Sequence, residues 1–217
     1  MCRMWIFPVK RPANPKRNKF LTLPLLQSIM AKKPAVPDYI DWNPGLDNGA
    51  KTLGAVIKTL PANEPTDISA IVKLFENPAS PIALAGAVNL ERHDCIHILL
   101  GRGLLPQDEA FVIGFTMGTS KYISGFAHGL FKKASRYLYP KPYKFSKDHL
   151  IAFELGMQYG KVCKASEIYE FPFEKFTKDK LGILRKRLGI KISDLRQIYR
   201  TEKILLPDSK ASKRLDV

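Results

Sequence analysis

"HDCIHILLGRGLLPQDE", residues 93–109, sets two histidines four apart, then a Gly-Arg-Gly break, then a proline followed closely by two acids. Four-residue spacing puts His93 and His97 about one turn apart on a single helical face. The "GRG" break ends that helix, and Pro106 stands where the first turn of a new helix tolerates a missing N–H. Asp108 and Glu109 then fall in a first turn, where the helix dipole favours acidic side chains. The stretch reads as helix, bend, helix, and the fold class it predicts is all-α. A sharp bend returns Glu109 to the two imidazoles; a gentle one leaves the acids serving the dipole alone.

Helical periodicity continues on both sides of this stretch. Leu53, Val56, Ile57 and Leu60 fall at i, i+3, i+4 and i+7, and Ile68, Ile71, Val72 and Phe75 repeat the pattern. A third segment runs from Pro81 toward Gly101, and the helix opened at Pro106 is expected to reach about Lys133. Ser146 is a cap candidate for a helix through about Lys164. "TKDKLGILRKRLG" and "SDLRQIYR" close the chain as helices, each expected to be opened by its Thr or Ser. Alternating strand patterns are nearly absent. The expectation is a single helical domain of about seven or eight helices over residues 38–206. It is preceded by an irregular, basic, proline-rich arm (1–37) and followed by a polar tail (207–217).

The 217 residues carry a formal net charge of +15, unevenly spread. The arm holds eight basic side chains and no acid, and residues 177–214 hold twelve basic and four acidic ones, around a balanced middle. Basic ends suit phosphate-bearing partners such as an anionic membrane surface or nucleic acid, or else simply a solvated face. No run of eighteen uninterrupted apolar residues occurs, so a spanning helix is not expected. "FVIGFTMGTSKYISGFAHGLF" (111–131) carries Lys121 at its middle and reads as a buried or cavity-lining helix. Cys2, Cys95 and Cys163 are odd in number with no CxxC spacing, which points to a reducing, intracellular compartment. The start lacks the clean apolar core of a secretory signal.

Two histidines with one or two carboxylates suit Zn²⁺, or Fe²⁺ with open positions. Asp94 is rotated about 100° from His93 on the helix, so it is either a third ligand at the edge or an acceptor fixing an imidazole tautomer. Two familiar motifs fit poorly. HD-type phosphohydrolases need a ligand histidine well upstream, and no histidine precedes His93. Zincin proteases use Glu where this chain has Asp94. Arg92 and Arg102 flank the histidines and suit a carboxylate or phosphate, although such residues are commonly just solvated.

Taken as H-D-x-x-H, eleven residues and E, with Gly101 and "EAF" (109–111) in place, the stretch resembles the signature of the coenzyme Q (ubiquinone) biosynthesis protein 4 family. The likeness is strongest from about Leu84 to Gly129. It continues weakly through "HLIAFELGMQYGKVCKA" and "FEKFTKDKLGILRKRLGI". The resemblance implies an all-α protein peripheral to a membrane, inner mitochondrial or bacterial, that handles polyprenylated quinone precursors. It works there as organiser of a complex of quinone-biosynthesis proteins, or as an enzyme removing the ring carboxylate oxidatively. By the same resemblance the metal ligands are His93, Asp94, His97 and Glu109. Gly114 and Gly118, then Gly125 and Gly129, recur at four-residue intervals among Phe111, Phe115 and Phe126. Such a face either permits close helix packing or leaves an apolar groove for a prenyl chain, with Phe111, Phe115, Gly118 and Phe126 lining it. Glycine-rich faces also suit a homodimer.

Two other functions stay in view. One is a lipid-binding scaffold without chemistry. The other is a helix-turn-helix nucleic-acid binder at "LRKRLGIKISDLRQI", disfavoured because Arg185 stands four before Gly189, where such units keep a small residue.

Overall fold

The structure, a computed structural model, describes residues 39–61, 90–121, 129 and 145–217. The chain divides into two units, Met1–Ala35 and Val36–Val217, and every described residue belongs to the second. The basic arm, the segment around Ile68–Phe75 and Phe126 lie outside the described residues.

The protein is all-α. Its described helices are α1 (Leu53–Ile57), α2 (Leu90–Leu100), α3 (Pro106–Gly118), α4 (Lys147–Val162), α5 (Leu181–Leu188), α6 (Ile192–Leu205) and α7 (Lys210–Lys213), with short 3-10 turns at Ile168–Glu170 and Phe173–Phe176. No strand occurs among the described residues. A lone antiparallel bridge joins Thr52 to Lys180.

The two helices of the opening stretch form the centre of the core. On α2, Ile96, His97, Ile98, Leu99 and Leu100 have no exposed surface at all; on α3, Ala110, Phe111, Val112 and Phe115 have none either. A helix buried on every side is apolar on every side, which is why "CIHILL" shows no polar stripe. Gly101 ends α2 with φ +67°, and a Cβ there would also strike the Gly45 backbone. Both the left-handed turn and the close approach demand glycine.

α4 lies along α3 with almost no side chain between them. A Cβ on Gly114 would intrude on the Phe153 carbonyl, and one on Gly118 on that of Met157. Reciprocally, Gly156 sits against the Phe111 carbonyl and Gly160 against that of Phe115. The register rises together on both helices, so they run parallel, with a four-residue glycine repeat on each meeting the other's backbone. Of the two outcomes open to a glycine face, this one is close packing. Phe111 and Phe115 are correspondingly sealed in the core, Phe115 stacked on Tyr159 at 5.4 Å. The expectation of a prenyl groove lined by Phe111, Phe115 and Gly118 is therefore corrected: α4 fills that space.

Three boundaries also differ from expectation. α3 stops at Gly118, where Thr119 closes the turn onto Phe115, and does not run on toward Lys133. α5 begins at Leu181 with Lys180 as its cap, not at Thr177, because residues 177–179 form a turn whose carbonyls are taken by the start of α1: Gly54 N–H donates to Thr177 O and Leu53 N–H to Asp179 O. α6 already includes Ser193, whose hydroxyl turns to Asp194 while Lys191 caps. Ser146 does cap α4, its hydroxyl accepting the His149 N–H at 3.1 Å.

Residues 207–217 do not trail away as a polar tail. Ala211, Ser212 and Leu215 are buried, and the Asp216 carboxylate accepts the Leu46 N–H. Among the described residues no helix is long and apolar enough to cross a membrane.

Candidate metal centre

The bend between α2 and α3 is sharp, and Glu109 comes back to the histidines. His93 Nε2 lies 2.9 Å from Glu109 Oε2, and His97 Nε2 lies 3.3 Å from Glu109 Oε1 and 3.0 Å from His93 Nε2. These candidate ligand atoms all fall within 4.8 Å of one another. His97 is fully buried, while the side chains of His93 and Glu109 keep 14% and 15% of their surface. The triangle is thus closed at its base and reachable at its rim.

Each ligand is aimed by backbone geometry. His93 and His97 share the α2 face that their spacing predicts, their rings 4.7 Å apart and edge-on. His97 Nδ1 donates to the Gly103 carbonyl at 2.8 Å, which fixes the tautomer and leaves the Nε2 lone pair for the triangle. Glu109 follows Asp108, whose carboxylate caps α3 by accepting the Leu105 N–H at 3.2 Å.

The electrostatics follow from burial and neighbours. Burial opposes charge on His97, but Glu109, with Asp94 and Asp108 behind it, outweighs that and holds the imidazole pKa above its ordinary 6.5. Burial would also raise Glu109, yet His97 and His93 pull its carboxyl well below the usual range. Without a cation, Glu109 favours a proton on His97, and the two histidines favour the charged form of Glu109.

The residues fit a divalent metal by a simple test of edges. Ligands about 2.0–2.1 Å from a tetrahedral ion stand roughly 3.3–3.4 Å apart, and those around an octahedral ion roughly 3.0 Å apart. The observed edges of 2.9, 3.0 and 3.3 Å lie at or between these values. Two imidazole nitrogens face each other across one of them, an arrangement in which at least one needs a proton or a cation. Two histidines and one glutamate form the donor set of catalytic Zn²⁺ sites and equally of Fe²⁺ facial triads.

Asp94 stands outside the triangle. Its position a third of a turn around α2 takes it to a separate cavity of about 270 Å³, shared with Arg92, Cys95, Phe173 and Glu174. Burial pushes its carboxyl up to about 6, against the pull of His93 and His97. Of the four ligands the resemblance implies, three converge and the fourth borders the next cavity. Arg92 lines that cavity too, donating to Tyr169 O at 3.1 Å and lying 3.7 Å from Glu174.

Arg102 is not at the site's mouth. Its guanidinium is fully buried, paired with Glu202 through both terminal nitrogens and sandwiched between Phe111 and Tyr199, 3.8 and 4.3 Å from the ring centres. Placing it as a substrate partner is corrected: a guanidinium committed to a buried carboxylate has no reach to a ligand. Arg185 is likewise buried, donating to the Ile98, Leu99 and Leu46 carbonyls. The side chain that looked wrong for a helix-turn-helix ties off the C-terminal end of α2. Nothing local in the sequence marks Gly103, Arg185, Glu202 or Arg214 as supports of this site, because their partners lie in distant segments, apart from the His97 bond of Gly103. The misfit of Arg185 was the one legible hint.

Compared with family models, with curated proteins and with solved structures, the chain matches none.

Proposed function

We propose that His93, His97 and Glu109 hold one divalent cation, Zn²⁺ in the first instance and Fe²⁺ as the alternative. On this reading the protein is a metal-binding, membrane-peripheral protein of quinone biosynthesis acting on polyprenylated ring precursors. The observation that supports it is the convergence of three ligand atoms from both sides of the Gly-Arg-Gly bend, in a motif that resembles the coenzyme Q biosynthesis protein 4 signature. A cation at this position supplies Lewis-acid stabilisation of negative charge on a ring carboxylate or hydroxyl oxygen.

The chain's own residues divide the remaining work. His97, buried and locked by Gly103, sets the direction of the site. His93 and Glu109, at the rim, face whatever enters. Arg92, beside the Asp94 cavity, is the more exposed of the two flanking arginines. The reading includes oxidative removal of that carboxylate, contacts with other quinone-biosynthesis proteins, a homodimer, and attachment to an anionic bilayer. The C-terminal positive charge offered to such a bilayer is smaller than the sequence count. Arg185 and Arg214 are largely buried, Arg187 lies 3.5 Å from Asp179, Arg196 2.7 Å from Asp47, and Lys210 2.9 Å from Asp41.

Elemental analysis of the purified protein tests the metal: about one ion per chain in the wild type and none in His97→Ala. Unchanged metal content in His97→Ala would end the assignment. Mass spectrometry of co-purifying lipid, followed by turnover of a carboxylated prenyl-phenol by the metal-loaded protein, separates an enzyme from a carrier. A bound prenyl lipid without turnover leaves the scaffold role.

A further inference from the structure

We infer that Arg214, at the far end of the chain, is a positioning residue of the metal centre. The inference rests on the metal reading above.

The bend that brings Glu109 to the histidines is gripped from two sides. On its inner side Gly103 O accepts from His97 Nδ1 at 2.8 Å, and Arg102 N–H donates to His97 O at 2.9 Å. On its outer side lies the Arg214 guanidinium. It sits so close to Gly103 that a Cβ there would collide with it, and the Trp42 carbonyl closes the same face. Arg214 Nη2 donates to Asp108 Oδ2 at 2.6 Å, and Nη1 to Ile40 O at 2.7 Å. Asp108 Oδ2 is also the acceptor that caps α3, and Asp108 is the residue before Glu109.

One side chain therefore backs both halves of the site. It presses the glycine whose carbonyl orients His97, and it anchors the first turn of α3 from which Glu109 projects. Partners that orient a ligand commonly change metal affinity about tenfold to a hundredfold when removed. Arg214 is also specific in kind. Its planar fork serves Asp108 and Ile40 at once, which a lysine ammonium on a flexible stem cannot reproduce in the same geometry. The glycine at 103 is required for the same reason: any side chain there would push the guanidinium off the bend.

The adjoining Leu215 provides the control. It is buried in the core from the same segment, so truncating it loosens the tail without removing the guanidinium. Zn²⁺ affinity, by competition with a chromophoric chelator, and the thermal midpoint of the metal-free protein are measured for wild type, Arg214→Ala, Arg214→Lys and Leu215→Ala. The tautomer of His97 is read in the metal-free protein from its imidazole ¹⁵N shifts, at a pH high enough for the ring to be neutral. The expected result is a Zn²⁺ affinity lowered on the order of tenfold or more in Arg214→Ala, with a smaller loss in Arg214→Lys. His97 in Arg214→Ala loses its pure Nδ1–H signature. Leu215→Ala lowers the midpoint while its affinity stays within about twofold of wild type, well short of a ligand-support effect.

Affinity within about twofold of wild type in the arginine variants, or an equal loss in Leu215→Ala, overturns the assignment, since support of a ligand should exceed that. Should Arg214→Ala fail to fold, Arg214→Lys is judged by the same two readouts. Failure of the metal reading looks different: wild type itself then binds no Zn²⁺. In that case an unchanged His97 tautomer in the arginine variants overturns the positioning role, and a mixed one supports it.

Discussion

Asp108 and Glu109 are neighbours on the first turn of α3, and they serve opposite ends. Asp108 turns into a closed polar cluster with Arg102, Arg214 and the N-terminal N–H of the helix. Around it Glu202 accepts from Arg102 and from Gln107, and Gln107 donates on to Ser212. Nearly every donor there meets an acceptor; the exception is Arg102 Nε, which has no partner and lies with its guanidinium between two aromatic faces. Glu109 turns instead to two imidazoles that also point at each other, at a rim open to entry. Both clusters gather opposite charges around one helix end. One is satisfied internally and so reads as structure. The other is satisfied only when a proton or a cation stands among its ligands, and so reads as a site.

The largest change in stability is expected in the closed cluster. Glu202→Ala leaves the Arg102 guanidinium charged and buried, and removing one partner of a buried pair costs about 3–5 kcal/mol. Denaturant unfolding should show a loss of that order. A loss under about 1 kcal/mol, the size of an exposed pair, would mean the cluster is wetter and weaker than its burial suggests.

The site should behave the other way. Glu109→Gln removes a ligand, so Zn²⁺ affinity should fall by on the order of a hundredfold, about 2.7 kcal/mol of binding. Metal-free stability should move much less than in Glu202→Ala, because the two histidines can become neutral once the carboxylate charge is gone. A metal-free stability loss equal to that of Glu202→Ala would erase the distinction between the clusters.

Between these stands the glycine contact, the region where sequence and structure parted most clearly. Gly114→Ala puts a methyl against the Phe153 carbonyl and should cost about 1–3 kcal/mol, the range for overpacking a filled core. A groove would have accepted it for almost nothing. The four-residue glycine spacing was legible; whether a helix or a lipid fills it was not, because both need the same small face. The metal triangle was legible for a local reason, since its ligands lie within seventeen residues and one bend. Pro106 and Ser146 marked their helix starts through their own backbone chemistry. The caps of α5 and α6 were missed because the turn at residues 177–179, bonded to the start of α1, delays one helix, and Ser193 already lies inside the other. The burial of Arg102, Arg185 and Arg214 could not be foreseen because partners such as Glu202, Leu99 and Ile40 lie 86 to 174 residues away, and such pairings leave no local trace.

The smallest effect is the most discriminating, because the two clusters should answer pH differently. In the metal-free protein the depressed Glu109 contributes stability fully present above its ordinary 4.5, lost as pH falls toward its folded value. The raised His97 contributes stability fully present below its ordinary 6.5, lost as pH rises through its folded value. The pair is therefore worth most between about 4.5 and 6.5, and metal-free stability should decline as pH climbs beyond that window. Metal affinity must run the opposite way. The cation displaces the proton on His97, so affinity should rise about tenfold per pH unit while that proton remains, then level off. Titration calorimetry with Zn²⁺ at pH 5.5, 6.5 and 7.5, in buffers of different ionisation enthalpy, reads both the slope and the proton released. The Arg102 guanidinium offers no such slope, because its carboxylate neighbours hold it charged throughout that range, against the opposition of burial. Zn²⁺ affinity independent of pH across the three conditions would show that no protonated imidazole is displaced, and Glu109 would then be only a structural partner like Asp108.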